Sequence, residues 1–165
     1  MDDYTQVPND NLNLQSHTVE MWVYRTGNGG NYPRLFLNGN INTSISICQN
    51  STSQNILYRV SGGTDLITST DPLTNNTWIY LVFIYDGTTR RIYKDGLEIA
   101  NYPQAVTIPS PGGSYSYIGG DNSPSSWAGK IDEVRIYNRA LSADEINAHY
   151  YRRKYSSNTI TVTYG

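Results

Sequence analysis

The stretch that decides the fold lies near the end of the chain, from Trp127 to Tyr151, and reads WAGKIDEVRIYNRALSADEINAHYY. Its first half alternates apolar and polar residues, which is the pattern of a β-strand with one face against a core. After a turn, Ser142 and Glu145 have the spacing of a capping box, in which each side chain bonds the backbone amide of the other residue. The stretch therefore predicts a strand, a turn and a short helix from about Ala143 to Tyr151.

The rest of the chain consists of short runs rich in Val, Ile, Thr and Tyr, separated by turn sequences such as TGNGG, SGGTD and IPSPGG. Short strands at this spacing are typical of a β-sandwich or barrel. In HTVEMWVYR, alternation places Val19, Met21 and Val23 on one face. NTWIYLVFIYDG is apolar on both faces, which predicts a central strand, and Asp95-Gly96 predicts a tight hairpin turn.

Composition excludes several classes of protein. The chain has 165 residues, which favours one domain, and its net charge of −2 gives no overall field to attract nucleic acid or anionic lipid. No apolar run approaches the roughly 18 residues of a membrane span. The single cysteine, Cys48, excludes an intrachain disulfide and lies among apolar residues, where we expect it to be buried. We therefore expect neither nucleic-acid binding nor membrane insertion.

Four stretches resemble a known family and follow its order. They are DDYTQVPNDNLNLQSHTVEMWVY, NTWIYLVFIYDGTTRRIYKDGLEI, YIGGDN and the strand, turn and helix quoted above. Together they are similar to the laminin-G-like domains of the concanavalin A-like jelly-roll superfamily. The resemblance implies an all-β, antiparallel β-sandwich with one short helix near the C-terminus. It also implies a binding module, since many such domains resemble lectins and many hold calcium.

The resemblance divides the chain into a laminin-G-like domain over residues 1–151 and a tail over residues 152–165. The tail sequence NTITVTYG alternates apolar residues with threonine and predicts one extra strand. Family members usually begin with a strand that precedes the position of Asp2, so we expect an unpaired sheet edge that the tail could fill. Pairing within one sandwich and pairing with a neighbouring copy, which would be self-association, both remain open.

Two adjacent carboxylates open the late strand, and adjacent strand residues point to opposite faces. Strict alternation puts Asp132 on the same face as Val134 and Ile136, which points it inward. A buried carboxylate must be paired, hydrogen-bonded or bound to a metal. Glu133 falls on the outer face, where we expect it to pair with a basic neighbour.

The inward carboxylate raises the prospect of a structural calcium ion, because calcium takes carboxylate and carbonyl oxygens together. In similar jelly-roll modules an aspartate on a late strand often fills this role, so the resemblance implies Asp132 as a ligand. Asp2, Asp3 and Asp121 are the candidate second ligands. The alternative is that Asp132 accepts hydrogen bonds from the backbone amides of a neighbouring loop.

Loop aromatics are the candidate sugar-binding residues, above all Tyr32 in TGNGGNYP and Tyr102 in ANYPQ. Neighbouring Asn and Asp side chains could bond sugar hydroxyls, although each tyrosine could also be an ordinary loop residue. The three tryptophans match positions that are core aromatics in the family. The resemblance therefore implies core packing for Trp22, Trp78 and Trp127.

Catalysis has little support in the sequence. His17 and His149 are far apart and belong to no nucleophile motif. Glu20 has no second acid two residues later, which argues against the two-carboxylate mechanism of some relatives.

The sequence thus favours a non-catalytic module that binds carbohydrate, with glycan or glycoprotein as its partner. The alternative is a structural surface or virion protein that uses the sandwich for contacts with other proteins. A glycosidase is less favoured than either. The resemblance implies an extracellular, cell-surface or virion location, and the polar first residues MDDYTQVPND are unlike a signal peptide.

Overall fold

The computed structural model describes residues 4–8, 15–39, 45–60, 66–67, 73–103, 105, 115–120 and 125–156. Within these residues the chain forms eleven strands and one helix. Their bounds are β1 (Thr5–Pro8), β2 (His17–Arg25), β3 (Arg34–Asn38), β4 (Ile45–Gln49), β5 (Ile56–Val60), β6 (Leu66–Ile67), β7 (Trp78–Tyr85), β8 (Thr89–Lys94), β9 (Leu97–Pro103), β10 (Tyr115–Ile118), β11 (Gly129–Tyr137) and α1 (Ala143–Ser156).

The strands form two antiparallel sheets. One sheet has six strands in the order β1-β10-β3-β4-β5-β6, and the other has five in the order β11-β2-β7-β8-β9. The prediction that β7 is a central strand is confirmed, because it pairs with β2 on one side and β8 on the other. The predicted all-β sandwich with one helix near the C-terminus is confirmed as well.

The main core lies between the two sheets. Val19, Met21 and Val23 point into it from β2, as the alternation of HTVEMWVYR predicts, and Cys48 is buried as expected. A second, smaller core lies on the outer face of the five-stranded sheet, where Leu141 and Ile146 of the C-terminal segment are buried. The five-stranded sheet therefore packs apolar side chains on both of its faces.

The helix α1 covers part of that outer face, and its start is the predicted capping box. The amide of Glu145 donates to Ser142 Oγ at 3.2 Å, and the amide of Ser142 donates to Glu145 Oε2 at 2.9 Å. The helix ends at Ser156 rather than at Tyr151, so the boundary drawn at residue 151 falls inside it. The predicted tail strand lies outside the described residues. No helix in the described part of the chain is long and apolar enough to cross a membrane.

Strand β11 contains a β-bulge where the two adjacent carboxylates lie. Asp132 pairs with Trp22, but the next paired residue is Arg135 opposite Glu20, so β11 holds an extra residue there. Glu133 absorbs the irregularity with a φ of +49°. A bulge of this kind changes which side chains face the core, because it breaks the two-residue alternation.

The predicted inward orientation of Asp132 is consequently wrong. Ile131, Val134 and Ile136 pack against the core, while Asp132 lies on the outer face with a side chain that is 48% exposed. Its carboxylate pairs with Arg153 of α1 at 3.0 Å.

Candidate functional site

Four aromatic side chains form two cross-strand pairs on the outer face of the five-stranded sheet. Trp22 lies opposite Tyr80, with ring centroids 5.3 Å apart, and Tyr24 lies opposite Trp78, with centroids 5.5 Å apart. The pairs follow one another along β2 and β7 at a spacing of two residues, so all four rings share one face. We call these four residues the aromatic ladder.

The helix covers one pair of the aromatic ladder and leaves the other open. Tyr150 stacks on Trp22 with centroids 5.9 Å apart and on Tyr80 with centroids 6.1 Å apart. Trp22 and Tyr80 are buried as a result, whereas Trp78 remains 40% exposed. The expectation that Trp78 packs in the core is therefore wrong, while that for Trp22 is confirmed.

A groove of about 720 Å³ lies beside the open end of the aromatic ladder. This volume is within the range of cavities that hold small ligands. The groove combines exposed aromatic surface with a carboxylate, two hydroxyls and two cations. Its lining residues are Trp22, Thr77, Trp78, Asp95, Tyr150, Arg153 and Lys154.

The β8–β9 hairpin turn supplies the carboxylate of the groove. Asp95 and Gly96 have φ angles of +51° and +87°, which agrees with the predicted tight turn. The amide of Tyr80 donates to Asp95 Oδ1 at 3.0 Å and fixes the orientation of the carboxylate. A methyl group on Gly96 would lie 2.5 Å from Asn147 Oδ1, so this turn lies close against α1.

The cations of the groove are held by contacts of their own. Lys154 Nζ donates to the Tyr150 hydroxyl at 3.2 Å and lies 5.1 Å from the centroid of that ring. Arg153 pairs with Asp132 and also with Glu133, which confirms that Glu133 has a basic neighbour. These contacts fix the wall that α1 contributes.

A buried carboxylate attaches α1 to the sheet beside the groove. Glu20 is fully buried, and the Tyr80 hydroxyl donates to its Oε2 at 2.7 Å. Arg135 donates to Oε1 at 2.8 Å, and Tyr137 also bonds Oε1. His149 Nδ1, on the helix, lies 2.9 Å from Oε2. Sheet and helix therefore share one polar cluster.

The charge of Glu20 is stabilised by these contacts. Burial alone would raise its pKa, but the hydrogen bonds from Arg135, His149 and Tyr80 outweigh burial, so the pKa of Glu20 lies below its usual value. Burial and the hydrogen bond to Glu20 together raise the pKa of Tyr80. Glu20 is thus a carboxylate at neutral pH, and its partners occupy it fully.

A second, smaller cleft of about 270 Å³ lies between β1, β10 and β11. Trp127 lines it but is only 8% exposed and belongs to the main core, so the expectation of core packing for Trp127 is confirmed. Among the described residues, no acceptor bonds Trp127 Nε1. This cleft offers less aromatic surface to a ligand than the groove, in which Trp78 is exposed.

The two predicted sugar-binding tyrosines lie away from the lining of the groove. Tyr32 is in the loop between β2 and β3, as expected, and is 46% exposed with a φ of +50°. Tyr102 lies within strand β9 rather than in a loop and is 38% exposed. Its ring carries the Arg90 guanidinium at 5.2 Å from the centroid. A sugar-binding role for either residue stays a prediction.

Of the predicted calcium ligands, the structure describes Asp132 alone. Asp132 pairs with Arg153 and accepts the Glu133 amide at 2.8 Å. The other candidates, which lie outside the described residues, are Asp2, Asp3 and Asp121. Across the residues that can be described, no group of three or more His, Cys, Asp or Glu side chains is placed to hold a metal ion. A calcium ion bound by these aspartates stays a prediction without its original geometric support.

The sequence matches the model of a known protein family over most of its length. A laminin G family model, described as the concanavalin A-like lectin/glucanases superfamily, matches residues 1–147. The chain belongs to this superfamily. No curated protein matches the sequence of this superfamily member.

Solved structures of similar fold include carbohydrate-related domains. A protein from Bacteroides ovatus, named as a candidate carbohydrate binding protein, superposes with a TM-score of 0.72 at 19% identity, over 87% of this chain and 43% of that one. Domain 4 of an extracellular arabinanase from Geobacillus stearothermophilus, solved with arabinotriose, has a TM-score of 0.66 at 19% identity, over 87% and 70%. The binding domain of botulinum neurotoxin DC, solved with SialylT, has a TM-score of 0.66 at 14% identity, over 90% and 39%.

At such identities these structures show the fold that this superfamily member shares with them. The chain spans less than half the length of the first and third of these structures. Their ligands are properties of those proteins, and a ligand for this chain has to be argued from its own groove.

Sequence reasoning missed Trp78 and Asp95 as a pair of site residues. One signal was present, because Trp22 and Tyr24 share a strand face, as do Trp78 and Tyr80. Two aromatics at a spacing of two on each of two strands predict an aromatic surface once those strands pair. The register and the position of α1 then decide which rings remain exposed, and the sequence does not show either.

Proposed function

We propose that this superfamily member is a non-catalytic carbohydrate-binding module and that the groove is its binding site. The observation that carries the proposal is the exposed indole of Trp78 in a groove that also holds the oriented carboxylate of Asp95. Sugar rings present an apolar C–H face and a rim of hydroxyl groups, so they need both kinds of contact.

Each contact has a chemical role. The Trp78 ring offers a flat apolar surface on which a pyranose or furanose ring can stack. Asp95 accepts hydrogen bonds from sugar hydroxyls, and hydrogen bonds to a charged group are stronger than those between neutral groups. Thr77 and Lys154 line the same groove and can donate to sugar oxygens. A mainly apolar site with a few oriented polar groups is typical of small-ligand binding.

The comparisons support carbohydrate as the ligand class. The superfamily is described by its lectins and glucanases, and the structures of similar fold include a candidate carbohydrate binding protein and a domain solved with arabinotriose. An extracellular, cell-surface or virion location stays a prediction that agrees with a glycan-binding role.

The groove favours binding over hydrolysis. Glycoside hydrolysis usually needs two carboxylates on either side of the scissile bond. Among the described residues that line the groove, Asp95 is the one carboxylate. Glu20, the one acid in strand β2, is buried beneath α1 and bonded to side chains on the sheet and the helix.

The test compares Trp78→Ala with Tyr32→Ala and Tyr102→Ala in glycan-array screening followed by calorimetry. Loss of the Trp78 ring should weaken binding by roughly tenfold, since truncating an aromatic anchor of a binding site typically costs about 1–2 kcal/mol and 1.4 kcal/mol is tenfold. Trp78→Phe keeps a ring and should retain part of the affinity. The two tyrosine variants should bind like the wild type.

Two outcomes contradict the proposal in different ways. If Tyr32→Ala or Tyr102→Ala loses binding while Trp78→Ala does not, the protein binds sugar but not in the groove. If the wild-type protein binds no glycan on the array, the carbohydrate proposal fails and the structural-protein alternative gains support.

A further inference from the structure

If the groove binds sugar as proposed, we infer that Asp132 and Glu133 are positioning residues for it. They hold in place, through Arg153, the wall that α1 contributes, and they raise the affinity for a ligand that neither of them touches. Three observations carry this inference: the β-bulge in β11, the two ion pairs of Arg153 and the position of Arg153 in the lining of the groove.

The β-bulge places two successive carboxylates on one face of the sheet. In a regular strand Asp132 and Glu133 would point to opposite faces. The extra residue in β11 and the φ of +49° at Glu133 break this alternation, and both side chains bond partners on the outer face. A residue other than glycine seldom adopts such a φ, and backbone of this kind is concentrated at functional sites. Here the bulge allows two adjacent acids to bind one guanidinium.

Arg153 donates from both ends of its fork. Its Nη2 donates to Asp132 Oδ2 at 3.0 Å, and its Nη1 donates to Glu133 Oε1. We call these three residues the arginine clamp. The other oxygen of Glu133 accepts Arg135 Nη2 at 2.6 Å, and Arg135 in turn bonds the buried Glu20. The arginine clamp is therefore continuous with the polar cluster that attaches α1 to the sheet.

The arginine clamp fixes a helix face that lines the groove. Tyr150, Arg153 and Lys154 are three and four residues apart, so they share one face of α1, and all three line the groove. Arg153 lies in the last turn of the helix, and helix ends fray. A wall that is ordered before binding spares the ligand the entropy cost of ordering it, which raises affinity. Loss of either carboxylate should thus weaken binding although no contact to the sugar is removed.

The test measures binding to Asp132→Asn and Glu133→Gln by calorimetry with three neutral probes, arabinotriose, maltotriose and lactose. Each variant should bind about threefold more weakly than the wild type, which equals about 0.65 kcal/mol and is within the usual range for an exposed ion pair. Asp132→Asn keeps Oδ1 for the Glu133 amide, so the bulge should be retained. Asp132→Glu keeps a carboxylate within reach of Arg153 and should retain the wild-type affinity.

Salt dependence separates positioning from a general loss of stability. A neutral probe carries no charge, so salt acts here on the protein, where it screens ion pairs between exposed side chains. The affinity of the wild type should fall as NaCl is raised from about 0.01 M to about 1 M, whereas the affinities of Asp132→Asn and Glu133→Gln should change little. Asp144→Asn is the matched control, because it removes one carboxylate from the first turn of α1 and should bind like the wild type at each salt concentration.

The outcomes separate failure of the inference from failure of the proposed function. Wild-type affinity in Asp132→Asn and Glu133→Gln, or the same salt dependence in variants and wild type, would overturn the inference while the proposed function stands. An equal loss in Asp144→Asn would overturn it too, since the effect would not depend on the arginine clamp. If the wild type binds none of the three probes, the glycan with the strongest array signal replaces them in the same comparison. If no glycan on the array is bound, the proposed function fails and the inference fails with it.

Discussion

Glu20 combines full burial with a formal charge, and its surroundings explain how both persist. A buried ion is costly to desolvate, and the cost is offset only when hydrogen bonds satisfy its oxygens. Arg135 and Tyr80 supply such bonds from the sheet at 2.8 Å and 2.7 Å, and His149 approaches from the helix at 2.9 Å. One residue thereby links the outer face of the sheet to α1 near the groove.

Replacing Glu20 with Gln should destabilise the protein by about 2 kcal/mol, because an amide cannot accept all the hydrogen bonds that the carboxylate accepts. Denaturant unfolding followed by tryptophan fluorescence measures the change. Glu133→Gln is the control, since Glu133 also pairs with Arg135 but is partly exposed, and it should cost less than about 1 kcal/mol. Equal losses in the two variants would contradict a special role for the buried site.

Two single residues show where the sequence is insufficient. The orientation of Asp132 follows from alternation only if the strand is regular, and the bulge at Glu133 reverses it. Nothing in IDEVRI marks the bulge, because Glu is not a residue that favours a positive φ. The residue type of Trp78 favours burial, yet α1 covers only the Trp22–Tyr80 pair of the aromatic ladder and leaves Trp78 exposed. Residue type thus indicated the chemistry of each side chain but not which face of the sheet it occupies or whether it is exposed.

At the scale of elements, α1 is positioned by polar bonds at its start and by stacking and ion pairs further along. The capping box joins Ser142 to Glu145, and Arg139 pairs with Glu145 at 2.7 Å. Tyr150 stacks on the aromatic ladder, and Arg153 reaches Asp132 on β11. Contacts of Arg153 with another strand explain why the helix continues past the end that local signals predict, since packing stabilises helices more than propensity does.

Ser142→Ala should lower the free energy of unfolding by about 1 kcal/mol, because the amide of Glu145 loses its side-chain acceptor. For a chain of this length that corresponds to a decrease in Tm of roughly 2–4 °C. Ser142→Thr keeps the acceptor oxygen and should remain close to the wild type in the same thermal melt. A melt of Ser142→Ala that superposes on the wild type would mean that the capping box contributes nothing to stability.

Elements that carry their own pattern were predictable, and the groove was not. The strand β2, the central strand β7, the Asp95-Gly96 turn and the helix start are each encoded in a short stretch. The groove depends on four elements meeting, namely β2, β7, the β8–β9 turn and α1. That meeting is set by strand register and by how α1 docks on the sheet, and neither follows from local periodicity.

For the molecule as a whole, stability is tied to two sets of titrating groups. Hydrogen bonds lower the pKa of three carboxylates in the folded state, although burial opposes this effect for Glu20 and Asp86. The third is Glu145, whose contact with Arg139 brings its pKa to about 2. Burial raises the pKa of several tyrosines, among them Tyr58, Tyr80 and Tyr137, and raises that of Tyr93 to about 12. The folded state should therefore be most stable between these two limits.

The acid limit follows from the carboxylates. In the unfolded chain they titrate near pH 4, and in the folded chain they titrate lower, so their contribution is present above about pH 4 and is lost as the pH falls through about 2. Unfolding by urea at a series of pH values should show stability that decreases between these points. In Glu20→Gln the decrease should be shallower.

The alkaline limit follows from the tyrosines and has the opposite sign. Their folded pKa values lie above the unfolded value of about 10, so their contribution is complete below about pH 10 and is lost as the pH rises toward 12. The same urea series should show constant stability from about pH 7 to 9.5 and a decline above about pH 10. Tyr93→Phe removes one of these groups and should make the decline shallower, whereas Tyr32→Phe, on an exposed loop, serves as the control. Stability that stays level to about pH 11.5 would show that the buried tyrosines ionise as easily in the folded protein as in the unfolded chain.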